Sequence, residues 1–285
     1  MSRIGIAVHR FREDALALAK SIANWGTEQG HQIVVLADDA SRLGGAIEVV
    51  DSFANVDLLV TLGGDGTMLR AVQLLEGKPI PVVGVHVGLL GYLASVEHDH
   101  ALAAVKAWFT GTEGTDFSYE DRMLLEVRVC DSETDHGRFL SLNEVVIEKI
   151  GPGHTVRLGV SINDASFTTY AADGLIVATP TGSTAYAMSV RGPILSPKLR
   201  AMLLTPVSPH MLFDRSLVLD PSEEIDVQVL GYRGVNIAID GTPICELGED
   251  GHVYVRPANE VVRLVNFEQR HFHQILKSKF GLSDR

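Results

Sequence analysis

Hydrophobic positions in the first third of the chain come in short unbroken runs, and the stretches between them carry apolar residues at helical spacing. The runs at 4–8, 32–36, 58–62 and 81–85 predict buried strands, and the stretches at 14–28, 67–75 and 101–109 predict amphipathic helices. Strands that are apolar along their whole length are buried on both faces, the condition of a parallel sheet covered by helices. After Gly111-Thr112-Glu113-Gly114 the pattern changes. Strands are predicted at 124–129, 144–148, 156–162, 174–178, 225–230, 235–239 and 261–265, several alternating at period two as in an antiparallel sandwich. A last amphipathic stretch, 271–280, predicts a helix that packs back on the first region, since such a face needs a partner. The expected fold is an α/β N-terminal domain over 1–115, with the return helix in 268–285, and an all-β, β-rich domain over 116–267.

Composition narrows the class. The 285 residues are 46% hydrophobic and 21% charged, enough for a packed core. A net charge of −12 argues against a nucleic-acid partner, whose phosphates demand Lys and Arg. An anionic small molecule then needs local donors to overcome the overall field. Cys130 and Cys245 form no metal or redox motif, which fits a reducing cytoplasm. No apolar run reaches 18 residues and the chain enters a strand at once, so neither a membrane span nor a signal peptide is expected.

The first chemical marker is the corner Gly63-Gly64-Asp65-Gly66-Thr67, where the third strand run meets a helix. Glycines there let backbone N–H groups approach a phosphate, and the helix N-terminus adds partial positive charge. Arg70, one turn further, is the nearest cation. A carboxylate inside an anion-binding loop repels the anion unless it takes a proton or holds a metal. The corner is neither a Walker loop, lacking Lys-Ser/Thr, nor Gly-x-Gly-x-x-Gly. Taken alone it reads equally well as a turn whose Asp65 caps the helix.

Two further interruptions of apolar runs stand out. At Thr179-Pro180-Thr181-Gly182-Ser183-Thr184-Ala185-Tyr186 a strand runs into a hydroxyl-rich corner that begins a short helix. Taken alone, its hydroxyls read first as a helix cap and second as contacts for polar ligand edges. Asn143-Glu144 offers an amide and a carboxylate suited to adenine or ribose, or to a solvated strand end. His98-Asp99-His100 reads as a capped helix start rather than a metal site, and His271 and His273 as a solvated helix face.

In this order and spacing, Gly63 to Thr67, Asn143-Glu144 and Thr179 to Tyr186 resemble the NAD kinase family over nearly the whole chain. The first motif is shared with diacylglycerol and sphingosine kinases and is similar in 6-phosphofructokinases; the third is far more specific. The resemblance implies a Rossmann-like N-terminal domain and phosphoryl transfer from ATP, or polyphosphate, to the 2′-hydroxyl of the adenosine ribose of NAD. It implies Asp65 as the catalytic base, with Gly66 beside the diphosphate. Asn143 and Glu144 would hold the adenosine of NAD, and Asp173, Thr181, Thr184, Ala185, Tyr186 and Ser189 match further NAD-contacting positions. Gly63, Gly64, Thr67, Arg70 and Ser183 complete the expected binding set. Mg²⁺ is expected to accompany the triphosphate, with no dedicated protein cage for it. A homodimer or homotetramer is implied, since in the family some contacts come from a neighbouring subunit.

Four positions depart from the family pattern. Arg191 stands where glycine is usual, which predicts a strained backbone or an altered turn, and added positive charge near a phosphate. His86 replaces the usual Asn and Leu89 the frequent Arg or Asn, on the ATP side. Thr242 follows Asp240-Gly241 where Gln is common. A lipid or sugar kinase would not need the second and third motifs. A non-catalytic NAD sensor would have no use for Asp65.

Overall fold

The computed structural model describes residues 1–45, 47–88, 91–267 and 272–282. Leu89 and His271 lie outside the described residues. The chain forms two compact units, one comprising Met1–Asp121 with Val261–Arg285, the other Arg122–Glu260.

The first unit begins β1 (Arg3–Val8), α1 (Glu13–Glu28), β2 (Gln32–Leu36), α2 (Ala37–Leu43), β3 (Glu48–Val50) and β4 (Leu58–Gly63). It continues with α3 (Asp65–Gln73), β5 (Pro81–His86), β6 (Val96–Glu97) and α4 (Ala101–Thr110). The strands pair in parallel in the order β3-β2-β1-β4-β5. Helix α1 buries Ala15, Leu16, Ala19, Ile22 and Ala23, a stripe at three- and four-residue spacing. That stripe meets Ile4, Ile6, Val8, Leu58, Val60 and Leu62 on one face of the sheet, with Ala101, Ala104 and Val105 of α4. On the other face Thr61 donates to Met68 Sδ of α3 at 3.7 Å. Burial on both faces is why these runs lack polar positions. Strand order reverses between β1 and β4, so the crevice of the doubly wound sheet opens at their C-terminal ends, Val8 and Gly63.

In the second unit β7 (Ser118–Cys130), which crosses the boundary, is followed by β8 (Asp135–Ser141), β9 (Glu144–Lys149), β10 (Val156–Ile162), β11 (Ala165–Ala172) and β12 (Gly174–Ala178). Then come α5 (Tyr186–Ser189), β13 (Met202–Val207), β14 (Leu217–Leu219), β15 (Ile225–Leu230), β16 (Val235–Ile239), β17 (Thr242–Leu247) and β18 (His252–Asn266). One antiparallel sheet runs β14-β13-β12-β9-β16-β17. Facing it are β11, β10, β15 and the first part of β18, with the β7–β8 hairpin. Leu125, Val145, Ile147, Leu158, Val177, Val227 and Ile237 fill the space between, the aligned inner faces of a sandwich. The last part of β18 pairs in parallel with β5 in the first unit. Helix α6 (Phe272–Lys279) belongs there too, with Lys279 Nζ 4.3 Å from the Tyr92 ring centre.

Elements missed by periodicity are mostly short, at an edge, or largely exposed, as α2, β3, β6, β8, β11, β14 and β17 are; β13 was missed as well, although it is buried along its whole length. His98–His100 form a 3₁₀ turn ahead of α4, and no side chain caps it; the His98 ring contacts its neighbour Asp99 at 2.8 Å instead. Arg191 accepts the strained option: its φ is +67°, just past α5, and its side chain is exposed. A left-handed L-residue costs about 1–2 kcal/mol, partly offset by the lower chain entropy of a non-glycine residue when unfolded. Arg191→Gly is therefore expected to raise stability by about 0.5–1 kcal/mol, read as a higher urea midpoint at unchanged slope.

Candidate active site

At the crevice of the first unit, β4 ends in Gly63 and α3 begins at Asp65, with Gly64 as its N-cap residue. No side chain caps this helix. The capping role open to Asp65 on sequence alone is thus not the one it plays. Its carboxylate instead accepts Tyr92 N–H at 2.9 Å through Oδ2 and Leu93 N–H at 3.1 Å through Oδ1. A methyl group at Gly91 would fall on that carboxylate, so only glycine permits the approach. At Gly64 and Gly66 a methyl would meet nothing within 4 Å, so the corner itself is open. Thr67 is buried beneath it.

Arg70 reaches across the crevice and donates to Val8 O at 2.9 Å. Asp39, on α2 and 1% exposed, stands 3.8 Å from Arg70 and 3.9 Å from Arg42. Burial raises its pKa, and the Val8 N–H and the two arginines pull the other way. His86, at the end of β5 beside Gly63, is buried with Nε2 2.6 Å from Glu97 Oε2. The departure from Asn thus introduces a His–Glu contact at the crevice.

The second unit gathers its predicted residues on the outer face of the β14–β17 sheet. Along β9, Val145 and Ile147 point into the sandwich, and Glu144, Val146 and Glu148 therefore face outward. Short helix α5 covers that outer face through Ala187, against Val146, Ile176 and Ala178. Glu144 lies opposite Ala178 and Glu148 opposite Gly174, so Asn143-Glu144 and Asp173 stand at opposite ends of the same strand pair. Tyr186 spans between them. Its backbone N–H favours the ionised Glu144 carboxylate, and its hydroxyl is 3.4 Å from Glu148 Oε1. Asp173 is ion-paired to Lys149 at 2.6 Å.

The hydroxyl corner is bound tightly to the Asn143 segment. Thr179 donates its N–H to Asn143 O at 2.8 Å and its hydroxyl to Leu142 O at 2.6 Å. A side chain at Gly182 would strike the Asn143 carbonyl. Ser183 turns inward, donating to Pro180 O and accepting from Leu195 N–H, and is fully buried. Thr184 donates to Thr181 O, and the Thr181 hydroxyl accepts from buried Arg122 at 3.4 Å. Ala185 is half-buried and Ser189 exposed.

Glu148, Lys149, Arg122 and Asp240 were not singled out from sequence. Glu148 had a signal, four residues from Glu144 in an alternating strand. The others depend on contacts remote in sequence.

Glu144 is 7% exposed and its Oε2 has no hydrogen-bond partner among the described residues. Burial, then the negative charge of Asp240, pushes its pKa up to about 7, against the pull of the Tyr186 N–H. A carboxyl raised in the folded state favours folding below its unfolded pKa near 4.5, and that contribution is lost as pH rises towards 7. The swing is about 3 kcal/mol by the linkage relation. Glu144→Gln is expected to gain melting temperature relative to the native chain between pH 5 and pH 8, followed by calorimetry across that range.

Comparison with known proteins agrees with this layout. Residues 4–112 match the ATP-NAD kinase N-terminal domain and residues 142–267 the ATP-NAD kinase C-terminal domain. The chain is 35% identical over 282 residues to an NAD kinase of Heliobacterium modesticaldum, covering 98% of each protein. It is 34% identical to an NAD kinase of Syntrophotalea carbinolica, covering 100% of each. Among solved structures, yeast NADH kinase complexed with NADH superposes with a TM-score of 0.91 at 23% identity, covering 100% of this chain and 89% of that one. An NAD kinase from Archaeoglobus fulgidus in complex with ATP superposes with a TM-score of 0.75 at 22% identity, covering 99% and 100%. With both domains matched and relatives above 30% identity along their full length, the chain belongs to the NAD kinase family.

Proposed function

We propose that this chain transfers the γ-phosphoryl group of ATP to the 2′-hydroxyl of the adenosine ribose of NAD, forming NADP and ADP. The observation that carries the assignment of Asp65 is that its carboxylate is held by the N–H groups of Tyr92 and Leu93 rather than spent on capping α3. A carboxylate so oriented at an open glycine corner acts on the hydroxyl. The 2′-oxygen bonds to phosphorus, the bond to the bridging oxygen breaks, ADP leaves with the electron pair, and the hydroxyl proton passes to Asp65. A carboxylate is a weak base, so transfer is late, when bonding to phosphorus has made the hydroxyl acidic.

Gly63, Gly64, Gly66 and Thr67 form the corner read here as holding the phosphates at the start of α3, and Arg70 supplies positive charge in an otherwise acidic chain. Mg²⁺ enters as the ATP complex. Phosphate oxygens are read as supplying much of its coordination. Asn143 and Glu144 hold the adenosine of NAD, with Asp173, Thr181, Thr184, Ala185, Tyr186 and Ser189 as further contacts. Ser183 supports the corner from beneath. Homodimeric or homotetrameric assembly in the cytoplasm is part of this reading. It is supported by fully exposed Leu212 and by the paired rings of Phe167 and Phe213, 41% and 36% exposed.

The test is NADP formation from NAD and MgATP. Asp65→Asn is expected to lower kcat by about 10²–10⁴ while NAD still binds. Gly91→Ala should reproduce much of that loss, because the added methyl displaces the Asp65 carboxylate without touching its chemistry. Asp65→Asn with near-native turnover would overturn the assignment. NAD binding without turnover on any donor, polyphosphate included, would favour a sensor.

A further inference from the structure

Strands β16 and β17 are joined by two residues, Asp240 and Gly241, with φ of +48° and +77°. Two successive positive values mark a type I′ hairpin turn, for which Asn-Gly and Asp-Gly are both favoured sequences. Nothing in such a turn requires its first side chain to touch anything. Here the Asp240 carboxylate collects four donors. Oδ1 accepts the Ser141 hydroxyl at 2.7 Å, the Asn143 N–H at 2.7 Å and the Glu144 N–H at 3.2 Å, and Oδ2 accepts the Leu142 N–H at 2.8 Å. The Asp240 N–H donates in return to Glu144 O at 3.0 Å. The register of β16 on β9, Ile239 opposite Val145, brings the turn to this spot.

Three consecutive N–H groups converging on one anion form a nest. This nest is filled by the protein's own carboxylate. On the far side, Thr179 takes the carbonyls of Leu142 and Asn143. The main chain of 142–144 is therefore committed, donors to Asp240 and carbonyls to Thr179 and Asp240. The side chains of Asn143 and Glu144 are what it has left to offer a ligand.

We propose that Asp240 is a positioning residue for the acceptor nucleotide, fixing the 142–144 backbone so that Asn143 and Glu144 meet the adenosine of NAD. This rests on the reading of those two residues as NAD ligands. A role confined to the turn makes the opposite prediction. Asparagine serves a type I′ turn as well as aspartate does, so Asp240→Asn would then be silent. In the nest, however, the amide loses the charge and turns an N–H₂ group towards backbone donors.

The experiment is equilibrium binding of NAD and, separately, of MgATP by titration calorimetry, with melting temperature recorded for each variant. Asp240→Asn is expected to weaken NAD binding by about tenfold or more, the worth of one hydrogen bond to a charged group. MgATP affinity should stay near native, and melting temperature should fall only by the few degrees that lost buried bonds cost. Ser141→Ala removes one donor and leaves the turn intact; a smaller loss in NAD affinity is expected. Asn143→Ala combined with Asp240→Asn should be little weaker than Asn143→Ala alone, since both act through one contact.

Native NAD affinity in Asp240→Asn would overturn the proposal, as would equal losses for NAD and MgATP with a lowered melting temperature. Should Asp240→Asn fail to fold, Ser141→Ala decides, and native NAD affinity there overturns it. Native affinity in Asn143→Ala would instead sink the ligand reading, and the proposal with it.

Discussion

Main-chain N–H groups that leave the end of a strand must find acceptors, and at both candidate sites of this chain the acceptors are carboxylates. Asp65 takes two from 92–93, and Asp240 takes three from 142–144. Asp39 takes Val8 N–H at the end of β1. Each bond crosses at least 27 residues of sequence, so each fastens an irregular segment to an element that the sheets have already placed. Charge-assisted bonds are stronger than neutral ones, and several on one group hold its rotamer as well as the loop. The consequence is two irregular segments whose backbone donors are paired with carboxylates from elsewhere in the chain.

Glu144 shows what happens to an acid outside this arrangement. It is as buried as its neighbours, but its Oε2 has no hydrogen-bond partner among the described residues and Asp240 adds like charge. Its proton is therefore held to about pH 7. A group poised between neutral and charged forms can donate or accept towards a nucleotide, and it is costly to the empty protein at alkaline pH. The second unit thus carries a buried acid whose ionised form destabilises the fold it sits in.

Two of the three departures among the described residues differ in kind. Arg191 pays in backbone conformation for a side chain that points to solvent. His86 replaces a neutral amide by a ring in contact with Glu97, beside the strand end that leads to Asp65.

Periodicity and composition alone were enough to place β1, β2, β4 and β5 of the doubly wound sheet, the sandwich class of the second unit and the return helix, but not β3 or the two-residue β6. A buried strand between helices leaves an unmistakable apolar run, and half-buried strands alternate. The glycine corner, Asn143-Glu144 and the Thr179–Tyr186 segment were legible as local interruptions of those runs. Edge elements such as β3, β8 and β14 were not, because exposure on an edge removes the pattern. Tertiary structure alone decided what the polar side chains do. Whether Asp65 caps α3 or meets Tyr92 depends on where β5 delivers the chain, and whether Asp240 idles in its turn or grips Asn143 depends on the register of β16 on β9. Local sequence sets which conformations a residue tolerates; only long-range pairing determines which donor stands opposite it.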